Sequence, residues 1–200
     1  GDMGYFGLVG TNSTDGEVTI PFFQYEREQK LEYDLTKLIF NLANPKKRVI
    51  GLVSTLPVFT PMMAGAPVWT VAQLVSEFFE VRMIDSALEI NKDLDLLLVI
   101  HPKGLSELTQ FAIDQYLLSG GKAMFFVDPL AEADRPQPNP ENPYDVPVTS
   151  SNLEKLFTAW GISVSGTEIA ADMTNAMRVQ IRTDRGVEQT NYLPWMKLEK

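Results

Sequence analysis

The chain has 200 residues, of which 44% are hydrophobic and 22% are charged, so it is long enough to bury one α/β core with a small appendage. A formal net charge of −9 and an isoelectric point near 4.6 argue against nucleic-acid binding, which needs a basic face, and against adhesion to anionic lipid. Cysteine is absent, which excludes disulfides, zinc thiolate sites and a cysteine nucleophile.

Residues 1–45 predict a β-hairpin and a helix that pack on the core. Two β-prone segments, 5–12 and 17–23, flank Asp15-Gly16, a dipeptide typical of tight turns. In residues 26–43 the apolar side chains recur at helical spacing, and Asn44-Pro45 ends the pattern.

Residues 46–130 predict an α/β core. The run 96–100 is continuously apolar, as is typical of a parallel strand buried on both faces. Ser106 is predicted to cap the helix that follows, and Gly120-Gly121 to end it. Strands and helices alternate, with strands at 49–53, 81–84, 96–100 and 123–127 and helices at 70–79 and 106–118. This alternation predicts a doubly wound, mainly parallel sheet of flavodoxin-like type, in which strand 49–53 lies between strands 81–84 and 96–100.

Residues 131–148 are rich in proline and predict a surface loop, and residues 149–200 predict the C-terminal part of the same domain. Ser151 and Glu154 form a predicted capping box for a helix that ends at Gly161. Weaker strands are predicted at 162–164, 168–171 and 177–182. The apolar segment 192–195 has no obvious partner, so we expect the sequence to be part of a longer ectodomain.

The carboxyl ends of the central strands are the expected functional edge, because ligands of open α/β sheets bind there. His101 and Lys103 follow strand 96–100, while Asp128 and Glu132 follow strand 123–127. We therefore predict that these four residues form one binding edge.

The same prediction has consequences for stability. Loop residues contribute little to a core, so replacing Lys103 or Glu132 with alanine is expected to change stability by no more than ~0.5 kcal/mol. Truncating Leu98 or Phe126 in the strands is expected to cost ~2–5 kcal/mol through lost burial and a cavity.

His101 is the only histidine, so any histidine-based catalysis would use it. Ser54, His101 and Asp128 follow neighbouring strands and could form a Ser-His-Asp set. Against this, Ser54 lies in no Gly-x-Ser-x-Gly elbow. The alternative is that His101 ends a strand and bonds to nearby backbone, and no catalytic residue is assigned.

Cofactor and metal sites are not predicted. Neither the P-loop nor the dinucleotide-binding glycine motif occurs. Asp85, Asp128, Glu132 and Asp134 are the acids that could bind a metal ion, but loop acids are more commonly solvated. Aromatic residues such as Trp69 lie at periodic positions that favour a place in the core.

Several motifs together resemble one known family. They are Tyr-Phe-Gly-Leu-Val-Gly-Thr-Asn at 5–12, His-Pro-Lys-Gly-Leu-Ser at 101–106, Gly-Gly-Lys at 120–122 and Phe-Val-Asp-Pro-Leu-Ala-Glu at 126–132. The chain resembles the GldG-like auxiliary components of uncharacterised ABC-type transport systems, some of which are linked to gliding motility. It is also similar to class I glutamine-amidotransferase-like α/β domains, but it lacks their nucleophilic cysteine.

The resemblance implies a periplasmic or other extracytoplasmic domain that works beside an ABC permease and ATPase. It also implies an anchor in the inner membrane through segments outside this sequence. The first functional hypothesis is therefore a non-enzymatic module that binds a partner protein, a small molecule or a carbohydrate. The alternative is a hydrolase or carbohydrate-directed enzyme that uses Ser54, His101 and Asp128.

Overall fold

The computed structural model describes residues 6–61, 67–85, 89–136, 142, 144, 147–184 and 186–197. In these residues a four-stranded parallel sheet is accompanied by two antiparallel hairpins. The strands are β1 (Leu8–Thr11), β2 (Glu17–Ile20), β3 (Arg48–Ser54), β4 (Phe79–Met83), β5 (Leu96–Ile100), β6 (Ala123–Phe126), β7 (Ala176–Thr183) and β8 (Gly186–Met196). The α-helices are α1 (Leu31–Ala43), α2 (Thr70–Phe78), α3 (Glu107–Leu118) and α4 (Glu154–Ala159).

The predicted N-terminal hairpin is confirmed, although β1 and β2 are shorter than the segments predicted for them. Asp15 adopts a positive φ of 59° in the turn. The Asn12 side-chain oxygen accepts hydrogen bonds from the backbone nitrogens of Thr14 (3.0 Å) and Gly16 (2.7 Å). This local chemistry is typical of Asx turns, and it adds to the Asp15-Gly16 signal from which the hairpin was predicted.

The first helix begins later than predicted, because residues 25–30 form a 3-10 helix before α1. The hairpin contacts α1 through Asn12, whose side-chain nitrogen donates to the Leu42 carbonyl oxygen at 2.9 Å. On α1, the Phe40 ring meets the Phe78 ring of α2 edge to face, with centroids 5.8 Å apart. The N-terminal segment therefore lies against the α/β unit.

The strand order of the parallel sheet is β4-β3-β5-β6, as the sequence predicted. The order reverses between β3 and β5. On one side of β3 lies β4, and on its other side lie β5 and then β6. With the right hand that is the rule for such crossovers, α2 and α3 are expected on opposite faces of the sheet. The mixed α/β architecture is confirmed, and the narrower flavodoxin-like or glutamine-amidotransferase-like type stays a prediction.

The main core lies between the sheet and the helices α3 and α4. Leu97 and Val99 of β5 and Ile113 of α3 are completely buried there, and Phe157 of α4 is nearly so. The predicted cap of α3 is confirmed, because the Ser106 hydroxyl accepts a hydrogen bond from the Thr109 nitrogen at 3.1 Å. The predicted helix end is also confirmed, with Gly120 at a φ of 92°.

The predicted capping box of Ser151 and Glu154 is wrong. The cap position of α4 is Leu153, and it makes no side-chain cap hydrogen bond. Ser151 is buried, and its hydroxyl accepts a hydrogen bond from the Asp128 nitrogen at 2.9 Å. The Ser151 hydroxyl, which the local pattern assigned to capping α4, is therefore used in a long-range contact with Asp128 instead.

The C-terminal region also differs from the prediction. Residues 162–164 and 168–171 form no strand, whereas the strand predicted at 177–182 is part of β7. The segment 192–195 has a partner after all, because it lies in β8, and β8 pairs with β7 in an antiparallel hairpin. Arg185, between β7 and β8 in the sequence, lies outside the described residues.

In the predicted surface loop, residues 131–136, 142, 144 and 147–148 are described and belong to no helix or strand. The domain boundaries at 45, 130 and 148 stay predictions. Of the helices that the structure describes, none has the length and apolar character needed to cross a membrane.

Candidate functional site

The carboxyl ends of β3, β5 and β6 meet at one edge of the sheet, and the strand order reverses between β3 and β5. Open α/β sheets bind ligands in the crevice at such a reversal. Here the reversal is closed by a side-chain contact, because the Thr55 hydroxyl donates a hydrogen bond to the His101 carbonyl oxygen. The residues that follow β5 and β6, next to this closed reversal, are therefore the first place to look for a site.

His101 is held in an unusual conformation at this edge. Its φ is 49°, in the left-handed region, which costs a residue other than glycine about 1–3 kcal/mol. The residue is 2% exposed, and its backbone nitrogen donates to the Phe126 carbonyl oxygen at 2.8 Å. Its Nε2 lies 3.3 Å from Oδ2 of Asp134, while its Nδ1 is buried and has no hydrogen-bond partner in the described part of the chain.

Lys103 shares the same carboxylate. Its Nζ lies 2.5 Å from Oδ2 of Asp134 and donates a second hydrogen bond to the Val148 carbonyl oxygen at 2.6 Å. The hydrogen bond from Lys103, followed by that from His101, holds the pKa of the Asp134 carboxyl below its usual value, although burial acts in the opposite direction. Lys103 therefore ties the two ends of the proline-rich loop to the strand edge.

Asp128 and Glu132 make different contacts. The Asp128 carboxylate accepts a hydrogen bond from the Leu130 nitrogen at 2.8 Å, which closes a turn directly after β6. The Glu132 carboxylate accepts a hydrogen bond from the hydroxyl of Tyr192 in β8. That hydrogen bond is the largest cause that raises the pKa of Tyr192, and the negative charge of Asp128 raises it further.

These two acids border a cavity of about 680 Å³ between the sheet edge and the C-terminal hairpin. Its lining is apolar, aromatic and acidic, and we call it the cleft. The lining residues used below are Trp69, Asp128, Glu132, Glu168, Tyr192 and Trp195. The rings of Tyr192 and Trp195 meet edge to face, with centroids 5.4 Å apart.

The structure therefore divides the predicted binding edge into two parts. Asp128 and Glu132 line the cleft, whereas His101 and Lys103 are absent from its lining and converge on Asp134. Sequence reasoning missed Tyr192 and Trp195, because nothing local shows that β8 reaches Glu132. It also placed Trp69 in the core, although this side chain is partly exposed and lines the cleft.

The predicted Ser-His-Asp set is not joined by hydrogen bonds. The Ser54 hydroxyl donates to the Leu56 carbonyl oxygen at 2.9 Å, and Asp128 is bonded to Leu130. The carboxylate that approaches His101 belongs to Asp134, so the expected contact between a histidine and a carboxylate exists with a different acid. The enzyme alternative stays a prediction.

The acids considered for metal binding do not converge. Across the described ranges, no three His, Asp or Glu side chains are grouped as ligands of one metal ion. Asp134 instead accepts from Lys103, and Glu132 accepts from Tyr192. The chemistry that this edge offers is therefore recognition by negative charge and aromatic surface.

Comparison with known proteins gives two matches. Residues 47–200 match a family model described as an ABC-type uncharacterized transport system. An uncharacterized protein of Borreliella burgdorferi is 26% identical over 176 residues, which cover 85% of this chain and 32% of the relative. The chain thus spans about a third of that relative's length. No solved structure matches the chain.

Proposed function

The chain belongs to the family of auxiliary components of ABC-type uncharacterized transport systems, and from this premise we propose that it is a non-enzymatic module that binds a ligand in the cleft. The observation that carries the proposal is the cavity of about 680 Å³ at the carboxyl edge of the sheet. Its volume falls within the range of small-molecule sites, about 300–1,000 Å³. It lies at the carboxyl edge of the sheet, next to the reversal that Thr55 closes, and open α/β sheets bind ligands at that edge.

The proposal includes a location and partners. The module lies outside the cytoplasmic membrane, is anchored in the inner membrane by segments outside this sequence, and works beside an ABC permease and an ATPase. The resemblance of the motifs at 101–106 and 126–132 to GldG-like components supports this arrangement and a link to gliding motility. Binding without catalysis is favoured because the hydrogen bonds of Ser54 and Asp128 go to neighbouring backbone atoms.

The first prediction concerns the complex. The full-length membrane protein, solubilised in detergent, is expected to co-purify with its permease and ATPase. We expect a double variant, Glu132→Gln with Trp195→Ala, to co-purify equally well, because the proposal assigns the cleft to a ligand and leaves the permease contact elsewhere. The same variant should lower ligand-dependent transport or ATPase stimulation.

A permease from an unrelated transport system, carrying the same tag, is the control for nonspecific association. Repeated failure of the wild-type protein to associate, with the ATPase present, would contradict the proposed partners. Full transport by the double variant would instead contradict the role of the cleft.

A further inference from the structure

We propose that the cleft binds a small organic cation, an ammonium group with an apolar body. The inference rests on the proposed function, since it names the ligand class of the same cleft. Its basis is the composition of the lining, which offers three carboxylates, from Asp128, Glu132 and Glu168, and the aromatic rings of Trp69, Tyr192 and Trp195. None of the described lining residues is a lysine, arginine or histidine.

No ion pair among the described residues neutralises the negative charge of the cleft. The ion pairs of the described residues leave Asp128, Glu132 and Glu168 without a cationic partner. Lys103, a basic side chain at the same sheet edge, is bonded to Asp134 and to the Val148 carbonyl oxygen. The sequence has no lysine, arginine or histidine between Lys155 and Arg178, the stretch that contributes Ser165 and Glu168 to the lining. A ligand is therefore the group that would supply the missing positive charge.

The Tyr192 hydroxyl lies close to the same negative charges. Its pKa is raised first by the hydrogen bond to Glu132, then by burial, and further by the charges of Glu132 and Asp128, which oppose another negative charge there. A cation would be attracted by the same charges that oppose a phenolate.

The aromatic rings decide between a metal ion and an organic cation. An inorganic ion needs several oxygen ligands at short range, and the carboxylates of the described residues are not grouped in that way. An ammonium group carrying methyl or methylene groups can instead lie over an aromatic face, as in the cages that bind quaternary ammonium. Trp195 is half exposed, at 50%, and Trp69 is partly exposed, so both have ring surface to offer.

A carbohydrate fits the lining less well. Sugar hydroxyls both donate and accept hydrogen bonds, so a sugar is bound best where side-chain donors lie beside the acceptors. In the described lining, the hydroxyls of Ser165 and Tyr192 and the indole nitrogens of Trp69 and Trp195 are the side-chain donors. The Tyr192 hydroxyl is already bonded to Glu132. Charge and aromatic surface together thus favour the cation.

The test compares choline with 3,3-dimethylbutan-1-ol, which has the same shape without the charge. Each is titrated into the protein at low ionic strength, with binding followed by tryptophan fluorescence and calorimetry. Choline is expected to bind about tenfold more tightly than the neutral alcohol, as is usual for a partly desolvated cation over aromatic rings. Added salt should weaken choline binding and leave the alcohol unaffected.

Variants localise the effect. Glu132→Gln keeps an acceptor for the Tyr192 hydroxyl and removes one charge, so it should weaken choline binding about threefold to tenfold. Trp195→Ala should do the same by removing a ring. Glu154→Gln makes the same chemical change at an exposed residue outside the cleft lining and should bind choline as the wild type does. Thermal melting of each variant shows whether it is folded.

Three results would overturn the inference. Equal affinity for choline and the alcohol would show that the cleft selects apolar bodies. If the protein bound maltose but did not bind choline, the cleft would be a carbohydrate site. Either result would still leave a cleft that binds a ligand. Absence of choline binding in folded protein, with co-purification of the permease unaffected, would overturn the cation assignment without touching the proposed partners.

Discussion

Replacing Leu97 with alanine is expected to lower the free energy of unfolding by about 2–5 kcal/mol, the usual range for a leucine truncated in a packed core. Leu97 lies in β5, which is paired with β3 on one side and β6 on the other, and its side chain is 0% exposed. Leu97 belongs to the buried cluster formed with α3 and α4. Truncating its side chain leaves a cavity, because the packed neighbours in the sheet and in the helices can fill the space only in part.

Leu118 provides a matched control, because it undergoes the same chemical change at a position that is 74% exposed. Its replacement with alanine should change the free energy of unfolding by no more than about 0.5 kcal/mol. Urea denaturation followed by circular dichroism measures both. Equal losses in the two variants would show that β5 does not form the centre of the core.

The second large effect is expected at Asp134. Replacing it with asparagine should cost about 1–3 kcal/mol at neutral pH, because a charged acceptor shared by Lys103 and His101 is lost from a partly buried position. The Asp134 side chain is 16% exposed and that of Lys103 is 30% exposed, so solvent screens this pair less than an ordinary surface pair.

The same variant predicts a pH dependence with a definite sign. The pKa of Asp134 is lower in the folded chain than in the unfolded chain, so the folded state favours the ionised form. The stabilisation is therefore complete above the unfolded pKa, about 3.9, and is lost as the pH falls through the folded pKa. The stabilities of wild type and Asp134→Asn should differ at pH 7 and converge as the pH falls below about 4.

Glu107 supplies the control for this effect. It forms an ion pair with Lys155, but the two side chains are 79% and 75% exposed, so Glu107→Gln should have a much smaller effect at neutral pH. Urea denaturation at a series of pH values measures the difference. Parallel curves for wild type and Asp134→Asn from neutral to acid pH would show that Asp134 is not paired in solution.

The effect of replacing Lys103 on the stability of the fold is a property that the sequence could not show. As a residue in a loop after a strand, Lys103 was expected to be nearly neutral when replaced with alanine. In the structure its ammonium group contacts Asp134 and Val148, which lie 31 and 45 residues away in the chain. Its truncation would leave the Asp134 carboxylate without its main partner, so the neutral expectation no longer holds for Lys103. Such partners become known only when the loop is folded back on the sheet edge.

Burial of the β6 side chains is a second property that the sequence could not show. Phe126 was expected to be a core residue, but it is 52% exposed. Phe125 and Phe126 point to opposite faces of an edge strand, and Phe125 packs against the main cluster while Phe126 faces away. An apolar pair in a strand predicts burial for both residues only if each face of the sheet is covered at that point, which depends on where the helices lie.

The sequence by itself determined the features that depend on neighbours in the chain. The turn at Asp15-Gly16, the cap at Ser106 and the helix end at Gly120 follow from backbone conformation and local hydrogen bonds. The alternation of apolar strands and amphipathic helices was enough to predict the order of the parallel sheet, because crossover rules leave few alternatives. The carboxyl edge was identified for the same reason.

Only the tertiary structure decided which residues meet at that edge. It separated His101 and Lys103, which converge on Asp134, from Asp128 and Glu132, which line the cleft with Tyr192 and Trp195. The contact between Glu132 and Tyr192 joins residues 60 positions apart. Local periodicity holds no information about such pairs, because their geometry is set by where the hairpin of β7 and β8 meets the loop after β6.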